Sequence, residues 1–88
     1  MREIVYDKNF EKNLKRRLSN NANLKKKFVE KVSLFLKDPT HHTLKNHKLI
    51  GSKKEYKAFS ITGDIRVIYI EKPTYYIFLD IGTHNQVY

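Results

Sequence analysis

Three side chains in the last third of this chain are of types that together can cleave a phosphodiester. Arg66 stands near the start of a run reading Gly63-Asp64-Ile65-Arg66-Val67-Ile68-Tyr69-Ile70. His84 and Tyr88 follow the next β-like run, which closes on Asp80-Ile81-Gly82-Thr83. Histidine changes charge near neutral pH, so His84 can move a proton. Arginine presents a planar fork of donors, so Arg66 can grip a phosphate at two points. Tyrosine can stack on a base or donate a hydrogen bond. RNA supplies its own nucleophile: the 2′-hydroxyl attacks the adjacent phosphorus in line and expels the 5′-oxygen. That step needs a base, an acid for the leaving oxygen, and fixed donors for the phosphoryl oxygens. His84 is the candidate acid, Arg66 the candidate clamp and Tyr88 the candidate stacking platform. The competing reading pairs Arg66 with Asp64 or Asp80 and leaves Tyr88 as a frayed end.

The charge of the chain fits a polyanionic substrate. Its 88 residues carry 18 Lys and Arg against 9 Asp and Glu, a net charge of +9. Residues 1–57 hold 16 of the basic and 6 of the acidic side chains; residues 58–88 hold 2 and 3. The N-terminal two thirds therefore supply a field that favours nucleic acid, an anionic membrane or an acidic protein partner, and the remainder is apolar and specific. The length predicts a single domain over residues 1–88. With no cysteine, disulfides and thiolate metal sites are excluded. His41, His42 and His47 have no helical or strand ligand spacing, so no metal or other cofactor is expected. No apolar run reaches the ~20 residues of a membrane span, and the charged N-terminus does not read as a signal peptide. A cytoplasmic location is the expectation.

The elements that must position these residues follow from periodicity. Arg2 to Tyr6 reads as a strand with Ile4 and Tyr6 on one face, and Asp7 as the cap of a helix. Phe10, Leu14 and Leu18 make one helical stripe, with Lys12, Lys15, Arg16 and Arg17 largely off it. Ser19-Asn20-Asn21 breaks the helix. Leu24, Phe28, Val32, Phe35 and Leu36 make a second stripe, ended by Asp38-Pro39. Residues 40–54 read as irregular, anchored by Leu44, Leu49 and Ile50. Tyr56–Ile61, Ile65–Glu71 and Tyr75–Ile81 then alternate as strands, with turns at Thr62-Gly63-Asp64 and Lys72-Pro73-Thr74. The fold class is α+β, in the order β-α-α-β-β-β. A helical hairpin packs on one face of a small antiparallel sheet. Strand parity sets Arg66, Ile68 and Ile70 against Ile65, Val67 and Tyr69. A lone arginine is rarely buried under helices, so the Arg66 face is expected to be the open one.

At Tyr56-Lys57, at the Gly63-Asp64-x-Arg66-Val67-Ile68-Tyr69 strand and at Ile81-Gly82-Thr83-His84-x-x-Val87-Tyr88, the chain resembles the RelE/ParE superfamily of prokaryotic toxins. It is most similar there to the RelE and YafQ-like messenger-RNA endonucleases. The resemblance implies the toxin of a type II toxin–antitoxin system, an enzyme that cuts messenger RNA in the ribosomal A site without a metal. Its partners would be a cognate antitoxin, the ribosome and mRNA, with a monomeric toxin or a toxin–antitoxin hetero-oligomer. The family's strand arginine maps on to Arg66, its C-terminal histidine on to His84 and its terminal aromatic on to Tyr88. A loop histidine maps on to His47 and a turn carboxylate on to Asp64. Where the YafQ-like branch has a further histidine in the first meander strand, this chain has Ser60. The base therefore stays open among His47, Asp64 and Glu55. Lys53, Lys54 and Lys57 are candidate RNA-binding residues at the entry to the sheet. The alternatives are a non-enzymatic, ParE-like toxin that binds DNA gyrase, and a basic RNA-binding module without activity.

Overall fold

A computed structural model describes residues 2–49 and 55–87, with the side chains of residues 85 and 86 excepted. The chain opens with β1 (Glu3–Tyr6), then α1 (Lys8–Leu18) and α2 (Ala22–Lys37). Asp7 caps α1 as its type predicts: its Oδ2 accepts from the Asn9 N–H at 3.0 Å. Asn20 takes a left-handed backbone, φ 58°, which asparagine tolerates, and the chain reverses there. Asn21 then caps α2 by accepting from the Leu24 N–H. Three strands follow as an antiparallel meander: β3 (Tyr56–Ser60), β4 (Ile65–Glu71) and β5 (Tyr75–Thr83).

Three features differ from the sequence reading. Residues 40–49 are not irregular throughout: His42–Leu44 form a 3₁₀ turn, and β2 (His47–Lys48) pairs antiparallel with β3. The sheet is mixed and not wholly antiparallel. Its order is β1-β5-β4-β3-β2, and β1 runs parallel to β5. The Asp7 N–H continues that ladder to the Phe78 carbonyl at 3.0 Å, so α1 starts directly from the end of the β1–β5 pair. Finally, β5 extends through Thr83, because Ile81, Gly82 and Thr83 pair with Val67, Arg66 and Ile65. A short helix, α3 (His84–Val87), follows without a loop.

The helices α1 and α2 cover one face only; on the other face Ala58, Ser60 and Ile68 are nonetheless shielded from solvent. Phe10, Phe28 and Phe35 from the helices join Phe59, Val67, Tyr69, Tyr76, Phe78 and Ile81 from the sheet in one buried cluster. Leu14, Leu18, Leu24, Val32 and Leu36 pack around it, as both stripes predict. Phe35 is its hub, stacked on Phe59 with ring centres 4.4 Å apart and edge-on to Tyr69 at 4.9 Å. Leu44 is fully buried beneath the 3₁₀ turn and Leu49 is half-buried; Ile50 lies outside the described residues.

Candidate active site

Arg66 lies on the face that the helices leave open. Its β4 neighbours Ile65 and Val67 are in the helix-covered core. Alternation therefore turns Arg66 the other way, as the sequence reading required. In the ladder Arg66 sits between Ser60 on β3 and Gly82 on β5. Both flanking residues are small, so neither fills the strip beside the arginine with its own side chain. The Arg66 side chain is half-buried, and its Nη1 is screened from solvent. A guanidinium held this way is stiffer than one on a free surface.

His84 is the first residue of α3, two residues beyond Gly82, and it is exposed. One strand spacing across and two residues along place its backbone roughly 8 Å from that of Arg66. That separation puts the two residues at the same end of the sheet. The helix α3 packs against β4 and β5, so His84 is carried on an ordered turn and not on a loose tail.

The other sequence candidates are spread more widely. His47 is not on a loop but on the edge strand β2, where it pairs with Ala58. Its Nδ1 lies 2.9 Å from the Lys45 carbonyl. A carbonyl only accepts, so Nδ1 is the donor in this contact. The ladder nevertheless puts His47 two strands and two residues from Arg66, about 12 Å of backbone. Asp64 is exposed in the β3–β4 turn. There the Thr62 hydroxyl accepts from the Asp64 and Ile65 N–H groups. A cleft runs from this turn to Arg17 and Lys27 on the helices. Glu55 is exposed at the start of β3. Tyr88, Lys53 and Lys54 lie outside the described residues.

Lys57 stands apart from Arg66. It pairs across the ladder with Tyr69, whose ring is in the core, so it shares the helix-side parity at the other end of the sheet. Its ammonium donates to Glu71 Oε1 at 2.9 Å, and Arg2 reaches Glu71 Oε2 at 3.2 Å. The hydrogen bond from Lys57 holds the Glu71 carboxyl below its ordinary range, against a smaller opposing effect of burial. Nearby, burial pushes the Tyr69 hydroxyl up to about 12, so it remains a neutral donor to Asn46 Oδ1 at 2.9 Å. Asp80 also has a structural engagement. The ladder register jumps after Ile68, leaving Leu79 as an extra residue on β5. Asp80 Oδ1 accepts there from Asn13 of α1 at 2.6 Å and from the Ile81 N–H at 2.8 Å.

Among the described residues, no group of three or more His, Asp or Glu converges as a metal site. The His41 and His42 rings instead stack on each other, 4.6 Å between centres.

The architecture and the Arg66–His84 end define a small basic α+β protein with one open sheet face. A family profile described as the bacterial toxin of type II toxin–antitoxin systems, YafQ, matches residues 2–88, and the chain belongs to that family. Solved structures agree in fold. The crystal structure of YafQ from E. coli strain BL21(DE3) is 23% identical, with a TM-score of 0.83 over 100% of this chain and 99% of that one. The E. coli DinJ–YafQ complex gives 23% identity and 0.82 over the same shares. A metal-bound toxin from Helicobacter pylori gives 24% identity and 0.83 over 100% of both chains. No curated protein matches the sequence at a significant level.

Proposed function

We propose that this toxin is a ribosome-dependent messenger-RNA endonuclease that cuts by 2′-hydroxyl attack without a metal. The observation that supports this most is the placement of Arg66 on β4 and of His84 at the start of α3, directly after the adjacent strand β5, at one end of the sheet. In this reading the Arg66 fork holds the non-bridging oxygens of the scissile phosphate. His84, as imidazolium, protonates the departing 5′-oxygen. Tyr88 stacks on a base next to the cut, and Lys53, Lys54 and Lys57 are candidate contacts to the RNA backbone. The base that takes the 2′-proton is His47 through Nε2 if the bound RNA spans the distance to it; Asp64 and Glu55 are the other carriers. A message held in the ribosome already has part of its pose fixed, which reduces what these few residues must supply. A gyrase-binding toxin has no use for a proton donor beside a phosphate clamp.

The DinJ–YafQ complex supports an antitoxin partner for this chain too. Val5 and Tyr6 on the outer strand β1 and Val29 on α2 are exposed apolar side chains amid the cationic part of the chain. They suit an acidic partner that wraps residues 1–57. The site of action is the cytoplasm, where ribosomes are; no helix among the described residues is long and apolar enough to cross a membrane.

The test is cleavage on programmed ribosomes with chelator-washed toxin at fixed magnesium. The expected products carry a 2′,3′-cyclic or 3′-phosphate and a free 5′-hydroxyl, with no gain from added zinc or manganese. A 5′-phosphate product would show that water attacks first. Intact message together with a DNA-damage response on induction would favour the gyrase reading.

A further inference from the structure

We propose that the far end of the sheet carries a second nucleic-acid site, a groove that holds backbone phosphates remote from the bond being cut. This rests on the reading that the substrate or its ribosomal setting is RNA. The groove encloses about 410 Å³ between Arg2, Lys48, Lys57, Glu71 and Lys72, with Glu55 also lining it. An adjoining cleft of about 390 Å³ shares Arg2, Lys48, Lys57 and Glu71 and continues past His47 to Tyr69.

Its charge is organised. Glu71 is held by both Lys57 and Arg2. Arg2 also donates to the Pro73 carbonyl at 3.2 Å and to the Tyr76 hydroxyl at 3.1 Å, and its guanidinium lies over the Tyr76 ring. These contacts fix the wall of the groove. The Lys48 and Lys72 ammonium groups enter no ion pair among the described residues, so they are the groups available to an incoming anion. Four cations face two carboxylates, which leaves the groove positive. A peptide would need apolar pockets at strand or helix spacing, and the groove offers only Ile70 and Pro73. Phosphates need only charge and donors, which it has.

Glu71 is five residues from Arg66 on β4, roughly 16 Å along the strand and, by alternation, on the opposite face of the sheet. A phosphate held there fixes the position of a strand without touching the reacting atoms.

The experiment uses the full chain and a 2′-O-methyl RNA oligonucleotide, which lacks the attacking hydroxyl and cannot be cut. Binding is followed by fluorescence anisotropy over a salt series. The Lys48→Ala/Lys72→Ala variant should bind several-fold more weakly, with a salt slope shallower by about 1.4, near 0.7 for each lost phosphate contact on single strands. Its melting temperature should match wild type. Affinity and slope like wild type overturn the proposal, as does loss of binding only to an acidic protein partner. Comparison on programmed and message-free ribosomes separates the sources. A loss on both assigns the groove to ribosomal RNA; a loss only on programmed ribosomes assigns it to the message. His84→Ala should keep wild-type oligonucleotide binding, so a failure of the cleavage reading would leave this result standing.

Discussion

In the proposed mechanism Arg66 is the most demanding residue, because a phosphate clamp depends on shape as well as charge. Lysine keeps the charge but loses the planar fork, so Arg66→Lys should lose most cleavage while folding normally. His84 is exposed at the start of α3 and outside the core. His84→Ala should lower cleavage by ~10²–10⁴-fold, the usual worth of a positioned acid, with an unchanged melting temperature. Full toxicity in that variant would remove His84 from the mechanism. The chemical types of both residues were legible in the sequence, and so was the face of Arg66, because alternation along a strand is a local rule. The reach to His47 was not. It depends on which residue of β3 each neighbour opposes, and the Ala58 and Ser60 pairings that decide it are set only when the strands meet.

The elements differ sharply in what they contribute to stability. Phe35 is fully buried and touches four other rings. Phe35→Ala should cost about 3–5 kcal/mol. A domain of this length has only some 4–13 kcal/mol in total, so calorimetry should find a sharply lowered melting temperature. Glu71→Gln breaks two partly exposed ion pairs and should cost no more than about 1 kcal/mol. The pH dependence has a definite sign. The Glu71 carboxyl titrates lower folded than unfolded, so its contribution is present above the unfolded value and fades as pH falls through the folded one. Acid titration of wild type and Glu71→Gln should converge there; a gap that persists in acid would mean that the glutamate acts through packing. Most elements could be read from sequence because their apolar residues show a repeat at the strand or helix period. The two residues of β2 and the four of α3 show none. The Leu79 bulge and the parallel β1–β5 pairing arise from contacts between distant segments and leave no local trace.

At the scale of the whole molecule, the helix lysines and the open sheet face point to different partners. The surplus of positive charge lies in residues 1–57, while the proposed clamp Arg66 and acid His84 lie beyond them. An acidic antitoxin attracted to that surplus can silence the toxin by covering the reactive face or by bulk alone. Diethyl pyrocarbonate distinguishes the two, because it modifies exposed histidine. Coverage should protect His84 in the complex. Inhibition by bulk should leave it reactive while ribosome binding is lost. The absence of any tight complex with the product of a neighbouring gene would count against the toxin having such a partner.

The parallel pairing of β1 with β5 also sets the order of events when the chain is made. Glu3 lies beside Tyr75 and Tyr6 beside Phe78, so the first strand synthesised must wait for one of the last. Until β5 emerges, the sheet lacks the strand that joins β1 to β4, and Phe10 and Phe35 lack Tyr76 and Phe78 as packing partners. Contacts so distant in sequence form late. A nascent chain from which β5 has not yet emerged therefore has no assembled Arg66–His84 end, and any activity proposed for that end waits on β5.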